Sequence, residues 1–282
     1  MATYPGNCYE ILSQVRYGIG EYSSGYVQAT DTTGSFQNAE LVHNINNAQY
    51  YLWSILFGQF PEYFLTSADL TFSSSVASLP GDCFKIKEVR DDGDRPMTPI
   101  SSSQRHTDYY TGSAYLYYRY GNTLRIDADG TSITGKLWYY SRCRELDTGV
   151  TSAGGAASAT LATTAKGIAD YYNNMKIENV TDSTVDVISD YTAARVCTVA
   201  NTWASSKYYG IVSDLPEIFW PLIAEYTILQ MKKNPKVPLQ VTVADVNLFG
   251  EMFRECFKAF AGTQNGEVGI GSLIEDFEPL VY

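Results

Sequence analysis

The stretch TVADVNLFGEMFRECFKAFAG, Thr242 to Gly262, decides the fold. Thr242 and Asp245 are spaced as a capping box, with a side chain at the cap position and a carboxylate three residues on. Val243, Val246, Phe249, Met252, Phe253, Cys256, Phe257 and Phe260 then recur at three- and four-residue steps, which predicts a long amphipathic helix stopping at Gly262. Such a stripe cannot bury itself, so other helices must cover it.

Those helices are predicted at both ends of the chain. Upstream of the quoted stretch, Leu215, Ile218, Phe219, Leu222, Ile223 and Tyr226 form a wide apolar face. Ser213 or Asp214 is available as its cap, Pro216 and Glu217 suit its first turn, and Pro221 is expected to kink or delay it. Lys232 to Pro238 ends it. At the N-terminus a short helix is expected over Cys8 to Tyr17, capped by Asn7, with Ile11, Leu12 and Val15 on one side. A Gly/Ser/Thr-rich linker follows from Gly18 to Ser35. A stronger helix is then predicted from Phe36 to Phe57, with Leu41, Val42, Ile45, Ala48, Leu52, Ile55 and Leu56 on one stripe and His43 beside it.

Between the two helical ends the pattern shortens to period two. Strands are expected at Cys83 to Arg90, Ala114 to Tyr120, Thr123 to Asp127 and Lys136 to Tyr140. Asp91-Asp92-Gly93-Asp94, Gly121-Asn122 and Asp129-Gly130 supply the turns, so this region reads as a small antiparallel sheet. In Cys83 to Arg90 the alternation is imperfect, with Phe84, Ile86 and Glu88 on one side and Lys85, Lys87 and Val89 on the other. Residues 150–212 form a compositional island with strands at Met175 to Ile177, Val185 to Ser189, Arg195 to Val199 and Tyr208 to Val212. That spacing reads as an inserted small barrel or sandwich. The expected class is α+β: a helical bundle from N- and C-terminal helices, with a small antiparallel sheet and an inserted β-barrel or sandwich. The expected divisions are residues 1–149 with 213–262 as body, 150–212 as module and 263–282 as a C-terminal docking tail.

Composition narrows function. The chain has 20 basic and 31 acidic residues for a formal charge of −11, and its densest basic stretch is Lys232, Lys233 and Lys236, too thin for gripping a duplex. The cysteines Cys8, Cys83, Cys143, Cys197 and Cys256 are widely scattered and read as reduced core filler. Met1 to Glu10 carries no basic residue and no long apolar run, so neither a signal peptide nor a membrane span is expected, and Asn179-Val180-Thr181 is an inert sequon. With only His43 and His106 and no carboxylate or thiol at ligand spacing, no catalytic, cofactor or metal residues are expected. A calcium loop with Gly130 at its sixth position would put Arg125 first and Lys136 twelfth, where oxygen ligands are required. Gly266 to Gly271 lacks the lysine of a phosphate loop. A carboxylate pair able to cleave glycans follows no sequence spacing rule and stays open.

Aromatic residues are the compositional excess: 23 Tyr, 12 Phe and 4 Trp, which read either as Tyr-lined β-structure and helix seams or as extensive protein interface. In the tail, Ile270, Leu273, Ile274 and Phe277 fall on one face among acidic residues, followed by Pro279 and Tyr282. A short apolar face there fits either docking on a partner or folding back on the chain's own helices.

The organisation resembles phage head-to-tail adaptor proteins. The resemblance rests on the short first helix, the second helix with Ile45-Asn46-Asn47-Ala48-Gln49, the Leu79-Pro80-Gly81-Asp82-Cys83-Phe84 lead into a strand, a Tyr-rich hairpin and the closing helices. Residues 152–212 are similar to a β-module that recurs in phage virion proteins. The matching features are Ala159-Thr160-Leu161, Asp170-Tyr171-Tyr172-Asn173-Asn174-Met175-Lys176-Ile177, Arg195-Val196-Cys197-Thr198-Val199 and Trp203. The glycine-rich turn usual before the middle strand is replaced by Val180-Thr181-Asp182-Ser183.

The resemblance implies a structural, non-enzymatic virion protein at the head–tail junction, assembled in the host cytoplasm as a ring of about twelve copies. Its partners would be the portal protein, tail nozzle or tube proteins and further copies of itself, with DNA only passing through the lumen and no membrane involved. The docking residues would be Ile270, Leu273, Ile274, Phe277 and Tyr282, and the ring interface would draw on Phe249, Phe253, Phe257 and Phe260. The alternatives are another tail component, terminator or nozzle, and a soluble glycan-binding or glycan-cleaving protein.

Overall fold

The computed structural model describes residues 6–21, 36–101, 103, 115–127, 132–237 and 239–263. Helices α1 (Cys8–Gly18) and α2 (Asn38–Gln59) lead to a 3-10 turn at Pro61–Phe64. Strands β1 (Leu65–Phe72), β2 (Val76–Ser78), β3 (Cys83–Asp91), β4 (Thr98–Pro99), β5 (Leu116–Tyr120), β6 (Thr123–Ile126) and β7 (Ile133–Ser141) follow. Next come β8 (Thr148–Val150), β9 (Ala153–Gly155), β10 (Ser158–Thr160), β11 (Lys176–Asn179), β12 (Thr184–Val187), β13 (Asp190–Tyr191), β14 (Val196–Thr198) and β15 (Tyr208–Ile211). A 3-10 turn at Glu217–Phe219, α3 (Trp220–Lys232) and α4 (Val243–Thr263) close the order. The chain is α+β, with N- and C-terminal helices packed together and small, mainly antiparallel sheets between them in sequence.

Two compact units divide it: Leu56–Arg142, and the remainder, Met1–Ile55 with Cys143–Tyr282. The 150–212 segment therefore belongs to the same unit as the helices.

In that larger unit the helices pair through small and aromatic side chains. Gly18 of α1 faces Ile228 of α3 so closely that a Cβ would lie 2.4 Å from it. Tyr51 of α2 stacks on Tyr226 of α3 at 4.6 Å, and Tyr226 meets Phe249 of α4 at 5.5 Å. Phe219 meets Phe260 edge-on at 5.5 Å. The expected caps hold at two ends: Asn7 accepts from the Glu10 N–H at 2.9 Å, and Thr242 and Asp245 exchange cap bonds at 2.9 and 3.2 Å. The cap expected at Ser213 or Asp214 does not form. Ser213 Oγ donates to Gln49 at 2.6 Å, and Asp214 pairs with Arg144 at 3.0 Å. Pro221 accordingly sits in the first turn of α3, where its missing N–H is harmless, and the preceding turn is 3-10.

Arg16 ties the end of α1 to the start of α2. Its buried guanidinium donates to Asn38 Oδ1 at 3.0 Å, to the Phe36 carbonyl at 3.1 Å and to Glu21 at 2.8 Å. Glu21 in turn accepts from the Phe36 N–H at 3.1 Å, so the charge pair is closed by backbone groups.

The β-material of this unit forms two four-stranded sheets, β12-β11-β15-β8 and β13-β14-β10-β9. Tyr172, Tyr191, Trp203 and Tyr209 are buried, and Trp203 Nε1 donates to Asp186 at 2.8 Å. Gly210 on β15 is where the N-terminus crosses, since a Cβ there would lie 2.7 Å from Asn7 Oδ1 and 2.9 Å from the Tyr9 nitrogen. Asn7 also donates to Glu178, and Ser213 N–H donates to the Gly6 carbonyl at 2.8 Å.

The smaller unit holds the sheets β1-β7-β3 and β2-β6-β5-β4. Its core gathers Leu70, Phe72, Val89, Leu124, Ile126, Leu137 and Tyr139. Within the second sheet, β4 and β5 pair in parallel. Gly121, at φ +59°, turns the β5–β6 hairpin as expected. The imperfect alternation of Cys83 to Arg90 has a cause: register shifts between Cys83 and Lys85 and between Ile86 and Glu88 reset the side-chain faces. Ile86 and Val89, three residues apart, therefore both lie on the core side, opposite Tyr139 and Leu137, while Phe84, at the first shift, is exposed. The Asp91 turn forms, with the Asp91 carboxylate accepting from the Gly93 and Arg95 N–H groups at 3.0 and 2.9 Å. Asp129-Gly130 lies outside the described residues.

Candidate functional site

Within the larger unit a cleft of about 300 Å³ opens between the first half of α2 and the chain leading into β8. Two amides of α2 position its wall. Asn46 donates to the Leu146 carbonyl at 3.0 Å and accepts from the Leu146 N–H at 2.6 Å, and Gln49 donates to the Arg144 carbonyl at 2.8 Å. These side chains take the place of a strand partner for the 144–146 backbone, which would otherwise leave buried polar groups unpaired.

Ala39, Val42, Leu146, Tyr50 and Tyr172 give the cleft its apolar and aromatic surface, and Glu145, Asp147 and Lys166 its charge. Glu145 and Lys166 form an ion pair at 2.8 Å. Asp147 is buried. Its carboxylate accepts from the Tyr209 hydroxyl, the Thr164 hydroxyl and the Thr148 N–H, yet burial outweighs these and pushes its pKa up to about 6. The Tyr209 and Tyr172 hydroxyls are pushed far up, by burial first and then by the Asp147 charge. His43 stands exposed at the rim, 3.1 Å from Asn47 Nδ2. Among the described residues, no group of three or more His, Cys, Asp or Glu could hold a metal ion.

In the smaller unit the exposed face of β1-β7-β3 carries an aromatic cluster. Phe57 meets Phe84 at 5.3 Å and Tyr140 at 5.6 Å, both edge-on, and Tyr63 meets Phe64 at 5.1 Å. Phe84, Tyr63 and Trp138 are 46%, 41% and 37% exposed. Lys87 lies 5.7 Å over the Tyr140 ring and Lys136 5.8 Å over Trp138. Lys87 also pairs with Glu62, which lowers the Glu62 pKa chiefly through that hydrogen bond. This face thus carries large, partly exposed aromatic rings among charged side chains.

The phenylalanines expected at a ring interface are placed otherwise. Phe249, Phe253, Phe257 and Phe260 are buried against their own chain, packing on Tyr226, on one another and on Phe219. The expectation that they face a neighbour is corrected: α3 and the turn before it already cover the stripe. Ile270, Leu273, Ile274, Phe277 and Tyr282, like His106, lie outside the described residues. Asn179 of the sequon is buried and donates to Asp182 at 3.0 Å.

The cleft escaped sequence reasoning because its carboxylates come from an unpatterned lead between strands. The one available signal was Asn46 and Gln49, polar residues on the buried side of α2. The aromatic face was hidden by the bulged register of β3.

Set against known proteins, the sequence matches no family model and no curated protein. Among the described residues, no helix is long and apolar enough to cross a membrane.

Proposed function

We propose that the chain is a structural virion protein, a head-to-tail adaptor that assembles as a ring at the head–tail junction, joins portal to tail and forms part of the DNA conduit. The observation that carries the reading is the order of elements: two N-terminal helices, β-material, and two closing helices, of which α3 packs on α1 and meets α2 through Tyr51 and Tyr226, and α4 packs on α3. The −11 charge supports it, because a conduit that repels phosphate lets DNA slide without adhering. Assembly takes place in the host cytoplasm, with the tail segment around Ile270 to Phe277 docking on the portal.

The neighbouring copy in the ring meets the Phe84, Tyr63 and Trp138 face rather than the α4 stripe. A heterologous contact of this kind closes into a ring when each copy offers both surfaces. Electron microscopy of the chain mixed with the portal of its virus tests the reading: rings seated on portal are expected, and monomers that leave portal bare refute it.

A second reading, glycan cleavage, is favoured by one feature, the two carboxylates Glu145 and Asp147 in one cleft. It requires hydrolysis of a polysaccharide panel that is lost on Glu145→Gln or Asp147→Asn.

A further inference from the structure

We infer that β12 (Thr184–Val187), the outer strand of the β12-β11-β15-β8 sheet, pairs antiparallel with β12 of a second copy of this chain across a two-fold axis at Asp186. The inference is independent of the adaptor reading, since it rests on this one sheet edge.

The edge is open and unguarded. β12 joins β11 on one side, and among the described strands none lies on the other. The Ile188 N–H donates to the Met175 carbonyl at 2.9 Å, and the pairing of Lys176 with Val187 through Asn179 with Thr184 continues that register without a shift. Backbone groups alternate in direction along an antiparallel strand, so Thr184 and Asp186 turn theirs toward β11 while Val185 and Val187 turn theirs outward. The Val185 and Val187 side chains are 54% and 52% exposed, on the sheet face opposite the buried Asp186. Outer strands are ordinarily guarded by lysine, proline or an irregular register. β3 carries Lys85, Lys87 and two register shifts, and β4 ends at Pro99; β12 has none of these.

The pattern of this edge is complementary to itself. Turned about Asp186, Val185 meets the second copy's Val187 and Val187 meets its Val185, as β-branched pairs whose N–H and C=O groups exchange hydrogen bonds. On the same face of β11, Lys176 stands beside Val187 and Glu178 beside Val185. Each row across the seam therefore runs Lys176, Val187, the second copy's Val185 and the second copy's Glu178. A cation and an anion then reach toward each other over the valines from strands about 14 Å apart. Within one chain that match is missing. Lys176 is exposed and, among the described residues, forms no ion pair. Glu178 has the neutral Asn7 amide as donor, and its charge adds to burial in raising the pKa of Glu10.

The seam is one short strand long, well below the roughly 1,200 Å² of a standard interface, so a Kd on the order of 0.1 mM is expected. Sedimentation equilibrium of the full-length chain at up to about 0.5 mM measures it, and the mass should rise from monomer toward dimer. Val187→Lys, which plants a guard on the edge at an exposed position, should weaken association at least about tenfold. Lys176→Glu and Glu178→Lys should each weaken it as well, by setting like charges at the two ends of every row. An equimolar mixture of those two variants should associate again, because every row then joins opposite charges. Val187→Lys leaves the Asn7 contact of Glu178 alone, and so remains the readout if Glu178→Lys folds poorly. A wild-type chain that stays monomeric at about 0.5 mM leaves the edge to a strand of a different protein. Association of any size that Val187→Lys leaves unchanged belongs to another surface, and a mixture of folded charge variants no stronger than its components breaks the two-fold register. Each of these three results refutes the proposal.

Discussion

Replacing Asp147 by Asn should change the pH dependence of folding in a defined direction. In the unfolded chain this carboxyl titrates at 3.8, whereas in the fold burial raises it to about 6. Between those values the unfolded state has released a proton that the native state keeps, so wild-type stability falls as pH rises through the interval. The displacement from 3.8 to about 6, at about 1.4 kcal/mol for each tenfold change, makes about 3 kcal/mol in all. Below the interval both states are protonated and the contribution is constant; above it the full penalty is present. Glu10 and Glu225, whose pKa values burial also raises, contribute equally to both proteins and cancel in the difference. Urea unfolding of wild type and Asp147→Asn at steps from about pH 4 to about pH 7.5 measures it. The variant should gain on wild type by about 2.4 kcal/mol across that range, since at about pH 4 the unfolded carboxyl is already more than half ionised, whatever fixed offset its altered hydrogen bonds to Tyr209 and Thr164 impose. A difference that stays flat would show the carboxyl to be solvated and would refute the burial argument.

Arg16→Met should cost about 3 to 5 kcal/mol, because Glu21 is left as a buried charge, and adding Glu21→Gln should recover part of it in the same urea assay. Asp245→Ala should cost about 1 kcal/mol near neutrality through the lost cap. Its pKa is lowered by the hydrogen bonds from Thr242, so the difference from wild type should shrink as acid protonates the wild-type carboxylate. Phe257→Ala should lose about 3 to 5 kcal/mol of stability as a core deletion. Trp138→Ala with Phe84→Ala should leave the monomer's melting temperature near that of wild type and abolish ring capture on portal; intact capture would remove that face as the interface. Gly210→Val should destabilise by about 1 to 3 kcal/mol, since its side chain meets Asn7 and the Tyr9 nitrogen.

Helices were the legible part of this sequence because their signals are local. Asn7 and Thr242 cap where their spacing says they should, and the α4 stripe faces inward as its period demands. What covers a stripe is not local. Phe249 to Phe260 reads the same whether the cover is a sister copy or α3, and the choice was made by Tyr226 and Phe219, which the sequence places more than twenty residues away. Strands were legible where a glycine fixed the hairpin, as at Gly121, and misleading in Cys83 to Asp91, where two register shifts reset the faces. Leu65–Phe72 and the short strands β8, β9, β10 and β13 carry too little period-two pattern to be found, being set by their partners.

The residues that carried the family resemblance have structural duties in this fold. Asn46 and Gln49 bind the 144–146 backbone, and Asp82 accepts from the Tyr139 hydroxyl at 3.0 Å while its carbonyl accepts from the Arg142 N–H at 2.9 Å. Both sets solve one problem, an irregular segment whose peptide groups have no ladder to join. A texture built from such pins speaks to how a chain is held together and says little about what it touches, since unrelated functions share one scaffold. Of the surfaces that could touch something, the aromatic face draws Tyr63 and Trp138 from outside the resemblance and Phe84 from within it, and the cleft joins Asp147 to Asn46, Asn47 and Tyr172, which belong to it. Substituting Asn46 or Asp82 therefore tests stability, and only the exposed aromatics and the cleft carboxylate can distinguish an assembling protein from one that acts on a ligand.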